Sequence, residues 1–300
     1  MNNKQLQYAI ELSKTLNFSL VAEKLGISQP ALSKQISSLE RELGVKLFKR
    51  GKNPMALSPA GEYFFQEAQN LLYREKQLYR SMEDFKSGKR GNLVIGISPF
   101  RSLYLLPNLC KKIKEKYPDI KIVLQEDSSD QLRKKAAEGK YDFAIANLPV
   151  DESRLDTIPI EPDKLVLAVH KKLLSFIDAP QKDNLSRISF KHCKDLPFVV
   201  VGQTQEMRLL FDKLCITSDI KPKIAMEVVG LATAWSMACA GIGATLLPLQ
   251  FVKQMDTGHS IKFFIPDCET NIRRPAIITR HGQYLSECAK YAIDILKNNR

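Results

Sequence analysis

Hydrophobic positions follow three different rhythms along the chain. In residues 1–58 they recur at helical spacing: Leu6, Ala9, Ile10 and Leu12 share one face of a first helix, and Val21, Ala22 and Leu25 one face of a second. Leu32, Ile36, Leu39 and Leu43 line a third helix at spacings of four, three and four. Between the last two, Gly26-Ile27-Ser28 interrupts the pattern. Glycine tolerates a left-handed turn, Ser28 is a good N-cap, and Pro30 falls in the first turn, where a missing N–H costs nothing. Two helices joined by so short a turn make a helix-turn-helix. After Gly44, "VKLFKRGKNPMALS" predicts two short strands around a basic tip, Arg50 to Asn53: a wing.

The second rhythm is one long helix, about Pro59 to Lys86, with Ser58 as N-cap. Phe64, Ala68, Leu71, Leu78, Met82 and Phe85 alternate at four and three, interrupted at Glu75. That spacing predicts a coiled-coil seam joining two copies; packing on the chain's own core would need a wider stripe. In the third rhythm, residues 92–300, short apolar runs alternate with amphipathic stretches. "LVIGIS" (93–98), "IKIVLQE" (120–126) and "FAIAN" (143–147) read as strands separated by helices, hence a parallel sheet with helices on both faces. "LVLAVH" (165–170) leaves for a second lobe, where "FVVVG", "KIAMEV" and "GATLL" are strands between helices. "PAIITR" (275–280) and a last helix, about 283–297, return to the first lobe. Two crossing strands leave a cleft, and in open parallel sheets ligands bind beyond the carboxyl ends of the strands.

Three segments follow: 1–58, 59–90 and 91–300, the last split into lobe I (about 91–163 and 275–300) and lobe II (about 164–274). Charge sharpens the picture. The net +12 is uneven, because residues 1–58 carry nine basic against four acidic side chains. Ser28, Gln29, Pro30, Ser33, Lys34, Ser37 and Arg41 lie off the buried stripe of the third helix. Short polar groups, backbone N–H and positive charge at that helix's start suit a DNA major groove, and the basic wing suits backbone or minor groove.

Other chemistries find little support. No apolar run reaches the roughly 18 residues of a membrane span, and the first residues read as an amphipathic helix rather than a signal peptide; a cytoplasmic location is expected. The six cysteines (Cys110, Cys193, Cys215, Cys239, Cys268, Cys288) have no C-x-x-C spacing, and the four histidines have no metal-ligand spacing. Serine-hydrolase elbows, Walker A loops and H-E-x-x-H are absent, and "GIGA" at 241–244 follows a helix instead of a strand. No catalytic residue, metal or cofactor is assigned. A thiol switch at Cys193 and Cys215, with His192 adjacent, remains an alternative, as does, more remotely, an enzyme carrying a DNA-binding head.

"AEKLGISQPALSKQISSLERELGVKLFKR" with "LSPAGEYF", then "GNLVIGIS…LLPNL…KEKYPDIKI", "G…YDFAI" and "AGIGATLLP", resembles the LysR-type transcriptional regulators over almost all 300 residues. The resemblance implies an α/β chain: a winged helix-turn-helix, a long linker helix and a two-lobed, periplasmic-binding-protein-like effector domain. It implies double-stranded promoter DNA as partner, a small-molecule co-inducer, and a homodimer through the linker helix that assembles into a homotetramer. By position, DNA contacts fall on Gln29, Pro30, Ser33 and Lys34, with Arg50 and Lys52 in the wing. The effector cleft is lined by Ser98, Phe100, Arg101, Ser102, Ser129 and Asn147 in lobe I, and Gln203, Thr204 and Gly230 in lobe II. Arg101 either pairs with an anion or is a surface charge. The expected effector is an anionic metabolite.

Overall fold

The computed structural model describes residues 1–49, 55–87, 91–178, 185–253, 260–267 and 272–298. The chain forms two compact units, Met1–Lys86 and Ser87–Arg300. In the first, α1 (Asn3–Thr15), α2 (Phe18–Leu25) and α3 (Gln29–Leu43) pack around the three predicted stripes, and Leu32, Ile36 and Leu39 are fully buried. Gly26 makes the left-handed turn that ends α2, at φ 65°. Ser28 caps α3 by accepting from the Ala31 N–H, as short polar side chains do at helix starts. Two short antiparallel strands follow, β1 (Phe48–Lys49) and β2 (Ala56–Leu57). The wing tip between them, with Arg50 and Lys52, lies outside the described residues.

The long helix α4 (Pro59–Ser87) opens on Ser58, whose hydroxyl accepts from the Gly61 N–H at 2.9 Å and donates to the Lys46 carbonyl at 2.5 Å. At Gly61 a Cβ would sit 2.1 Å from the Leu47 carbonyl oxygen, so only glycine lets α4 lie this close to the wing. The predicted seam divides in two. Phe64 and Ala68 join Phe65 and Leu72 in the core of the first unit, where Phe65 packs on Phe48 with ring centroids 5.3 Å apart. Leu71, Leu78 and Met82 are instead 48%, 59% and 48% exposed. The Phe85 side chain lies outside the described residues. A single-seam reading thus needs correction: the first turns of α4 serve their own chain, because the aromatic pair at Phe48 and Phe65 draws them inward.

In the second unit the first sheet runs β4 (Ile120–Glu126), β3 (Gly91–Ile97), β5 (Phe143–Asn147), β14 (Pro275–Arg280), β6 (Leu155–Pro159). The first three strands are parallel, with α5 (Pro99–Lys116) and α6 (Ser129–Ala137) as crossovers; β14 is antiparallel to β5 and β6. Side-chain alternation builds both faces at once. Phe143 and Ile145 face α5 and α10 (Glu287–Lys297), while Ala144 and Ala146 face α6. These are the strands and the return to lobe I that the apolar runs predict.

The second lobe mixes strand directions. Its sheet runs β11 (Thr245–Pro248), β7 (Asp163–His170), β12 (Ile261–Pro266), β8 (Ser186–Ile188), and β7 is antiparallel to both neighbours. The parallel pair β9 (Pro197–Val201) and β10 (Lys223–Val228) stands beside it, with α7 (Glu206–Thr217) as crossover, and Phe198 bridges to Ala244. Helices α8 (Leu231–Cys239) and α9 (Leu249–Val252) complete the lobe, and β13 (Ile272–Arg273) pairs antiparallel with β7. The strands "FVVVG" and "KIAMEV", read between helices, form the parallel pair, whereas β7, β11 and β12 are mostly buried apolar runs that carry no directional signal of their own.

Candidate functional site

On α3 the buried stripe leaves one polar edge. Ser28, Gln29, Pro30, Lys34 and Arg41 are exposed, and Ser33 and Ser37 are half-buried on the flank. Behind this edge sits a residue that the sequence reading missed. Glu40 is 2% exposed, and its carboxylate accepts from the backbone N–H groups of Leu47 and Phe48 at 2.9 and 3.3 Å and from Lys46 Nζ at 3.0 Å. It clamps the first wing strand to the recognition helix. The signal was present, since a glutamate directly after Leu39 sits on the flank of an apolar stripe.

The second candidate lies between the lobes of the second unit, where the parallel strands of lobe I end. Ser98 is the residue before α5 and makes no side-chain cap bond. Ser102 donates to the Pro99 carbonyl at 2.6 Å and to the Glu126 carboxylate. Arg101 is buried, donating to the Ile145 carbonyl at 3.3 Å and to Asn147 Oδ1 at 2.8 Å. It is therefore not a surface charge, and among the described residues no carboxylate lies within ion-pair distance of it. Burial, then the nearby Arg273 charge, pull its pKa below the usual arginine value, although a guanidinium stays protonated throughout the physiological range.

From lobe II, Glu206 at the first position of α7 reaches across. Its Oε2 accepts from Asn147 Nδ2 at 2.5 Å and from Ser129 Oγ at 3.4 Å. Arg133 donates to the Asn147 carbonyl at 3.2 Å and to Asp130 at 2.6 Å. Where the crossing strands pair, Arg273 stands opposite Asp163 in register, and their side chains form a buried ion pair. Among the described residues the Arg273 Nε has no hydrogen-bond partner. Asp163 and Glu206 hold the Arg273 pKa above its usual value, against the opposing effect of burial.

The other predicted cleft residues divide. Gln203 and Thr204 are exposed in the loop between β9 and α7, and Gly230 precedes α8. Phe100 packs against Phe251 of α9 with ring centroids 4.4 Å apart, so it fills an interlobe contact instead of lining open space. The structure thus brings Arg101, Ser129 and Asn147 together and adds Glu206, Asp163, Arg133 and Arg273. Both thiols of the alternative reading are buried in one apolar cluster of lobe II. Burial pushes Cys193 and Cys215 up to about 12, which leaves almost no thiolate at neutral pH and argues against facile oxidation.

A wing-bearing helix-turn-helix unit followed in the same chain by a two-lobed α/β unit defines a class: DNA-binding regulators with a ligand-sensing domain. Residues 3–62 match the bacterial regulatory helix-turn-helix protein model of the lysR family, and residues 86–300 match the LysR substrate binding domain model. The chain is 30% identical over 269 residues to the uncharacterized HTH-type transcriptional regulator YcgK of Bacillus subtilis, covering 86% of this chain and 83% of that one. A full-length OxyR variant from Pseudomonas aeruginosa shares the fold at TM-score 0.68 and 23% identity, covering 99% and 98%. Full-length CbnR, solved with its target DNA, does so at TM-score 0.61 and 18% identity over the whole of both chains. The chain belongs to the LysR family of DNA-binding transcriptional regulators. Among the described residues no helix is long and apolar enough to cross a membrane.

Proposed function

We propose that this regulator reads duplex promoter DNA through the exposed edge of α3 and responds to a small anionic metabolite between the lobes. The observation that carries the first half is the capped, proline-started α3 with a fully buried stripe behind exposed Gln29 and Lys34. Such a helix offers Ser28, Gln29, Pro30 and Ser33 to base edges, and Lys34 and Ser37 to phosphate. Arg50 and Lys52 add charge from the wing. Phosphate contacts supply most of the affinity and make it fall steeply with salt.

Arg101 supports the second half, because a buried cation without a paired carboxylate favours an anion nearby. Exposed Leu71, Leu78 and Met82, spaced by seven and four along α4, support a homodimer that carries two heads to two half-sites. A tetramer follows if the effector domains also pair. Effector binding then changes head spacing on the promoter, by no more than its difference in affinity for the two states. The protein works without catalysis, in the cytoplasm. The test selects a duplex from a random pool with the wild-type protein, then footprints it with and without a panel of small carboxylates. At least one should change occupancy or extent. A footprint indifferent to every member contradicts the switch.

A further inference from the structure

Three groups with formal charge meet where the lobes join: Arg101, Arg273 and Asp163, all at least nine-tenths buried. Their sum is one positive charge. A buried net charge is costly unless something nearby cancels it. What cancels it comes from the opposite lobe. Glu206 lies close enough to influence Arg273, and its Oε2 is the shared acceptor of Asn147 and Ser129. It starts α7, whose N-terminus carries no side-chain cap and is itself a favourable place for an anion. Asn147 is committed on its other side, since its Oδ1 receives Arg101; the amide orientation is fixed and its NH2 can only donate toward Glu206. Ser129, Asn147 and the buried arginines therefore form a carboxylate receptor, and the chain fills it with a carboxylate of its own.

Resting on the effector reading above, we propose that Glu206 is a tethered counter-anion in the effector's carboxylate subsite. The effector is a small monocarboxylate that takes over the Asn147 and Ser129 donors and so releases lobe II from lobe I. The single charge follows from the balance: exchanging Glu206 for a monoanion leaves the pit neutral. A dianion would leave one negative charge in excess, and a neutral ligand would leave the arginines uncompensated. Glu206 is half-buried, at the head of a helix beside the exposed Gln203–Thr204 loop, so its side chain can leave for solvent without unfolding anything. Apparent affinity is the intrinsic affinity multiplied by the fraction of molecules in which Glu206 has left the site, as for any site whose competent state is a minority.

The test uses propionate as probe, propionamide as its neutral isostere and sodium chloride as the ionic-strength control, on the full-length wild type, Glu206→Ala and Glu206→Gln. Binding is read by calorimetry and by Trp235 fluorescence. Both variants should bind propionate at least about tenfold more tightly than wild type, a difference of about 1.4 kcal/mol. None should respond to propionamide. Glu206→Gln carries the test by itself if the alanine variant fails to fold, because the amide keeps the shape and an acceptor for Asn147 while losing the charge. Equal propionate midpoints in wild type and variants, or equal response to propionamide, overturn the proposal. Those outcomes leave the promoter switch untouched, since that is judged by carboxylate-dependent footprints of the wild-type protein.

Discussion

Glu40 in the DNA-binding unit and Glu206 in the sensor each join two elements through one carboxylate, and they differ in almost every other respect. Glu40 is buried and receives two backbone N–H groups and a lysine within its own unit. Its donors cannot leave without unfolding the wing. Glu206 is half-buried and receives two side chains from the opposite lobe. Its own side chain can leave for water, and its two partners can then donate to a ligand instead. The difference teaches how one chemical group becomes a fixed clamp in one place and an exchangeable contact in another: backbone donors and full burial make the clamp, side-chain donors at a lobe boundary make the exchange.

The largest expected effect tests whether burial alone sets this rank. Asp163 is fully buried and ion-paired, as fixed as Glu40 but placed at the lobe junction. Asp163→Ala should cost about 3–5 kcal/mol, as removing one partner of a buried pair does, measured by urea unfolding of Trp235 fluorescence. A cost below about 1 kcal/mol, the level of an exposed pair, would mean the junction is open to water. Next comes Glu40→Ala, which strands two buried donors at about 1–3 kcal/mol each. DNA affinity and hydrogen-exchange protection of the wing strands should fall, while the Trp235 transition stays where it was. An unchanged wing would remove the clamp from the comparison. Glu206→Ala removes a half-buried counter-charge that water can partly replace, so it should lower the Trp235 transition by about 1–3 kcal/mol; a loss as large as that of Asp163→Ala would make Glu206 a clamp as well.

The smallest effect concerns the thiols. With Cys193 and Cys215 pushed by burial up to about 12, both stay protonated at pH 8 in the folded chain. They should resist iodoacetamide under conditions that label the exposed Cys239. The sign follows from linkage. The folded pKa values are raised, so their contribution to stability is complete below the unfolded pKa near 9 and is lost as pH climbs toward 12. Fast labelling of Cys193 at pH 8 would reopen the thiol switch.

What was legible in the chain is what local spacing encodes. Ser28, Gly26 and Pro30 punctuate the turn, the stripe from Leu32 to Leu39 is fully buried, and "IKIVLQE", "FAIAN", "KIAMEV" and "PAIITR" are strands with the predicted limits. At the interlobe site, Arg101, Ser129 and Asn147 came from the family resemblance, while their partners Glu206, Asp163 and Arg273 were not legible. Asn147 and Glu206 are 59 positions apart, and Asp163 and Arg273 are 110 apart, so no periodicity links them. Arg101 looked equally suited to surface or site, because only the fold reveals that Asn147 meets it from the end of β5. The seam along α4 misled in its first turns for a related reason: a heptad records an apolar edge but not which partner covers it. Phe48, nearer in sequence, claimed Phe65 before a second copy could.

The account stands most directly on one comparison of affinities. A duplex selected by the wild-type protein and a scrambled duplex of equal length are titrated across a salt series with wild type and with Gln29→Ala, Ser33→Ala and Lys34→Ala combined. The account predicts that the variant's preference for the selected duplex collapses, since each lost base contact removes about 1–3 kcal/mol of discrimination. The salt slope should also shrink by about one for the lost phosphate contact. Equal preference and an equal slope in both proteins would contradict it, and the exposed edge of α3 would then not be the surface that reads DNA.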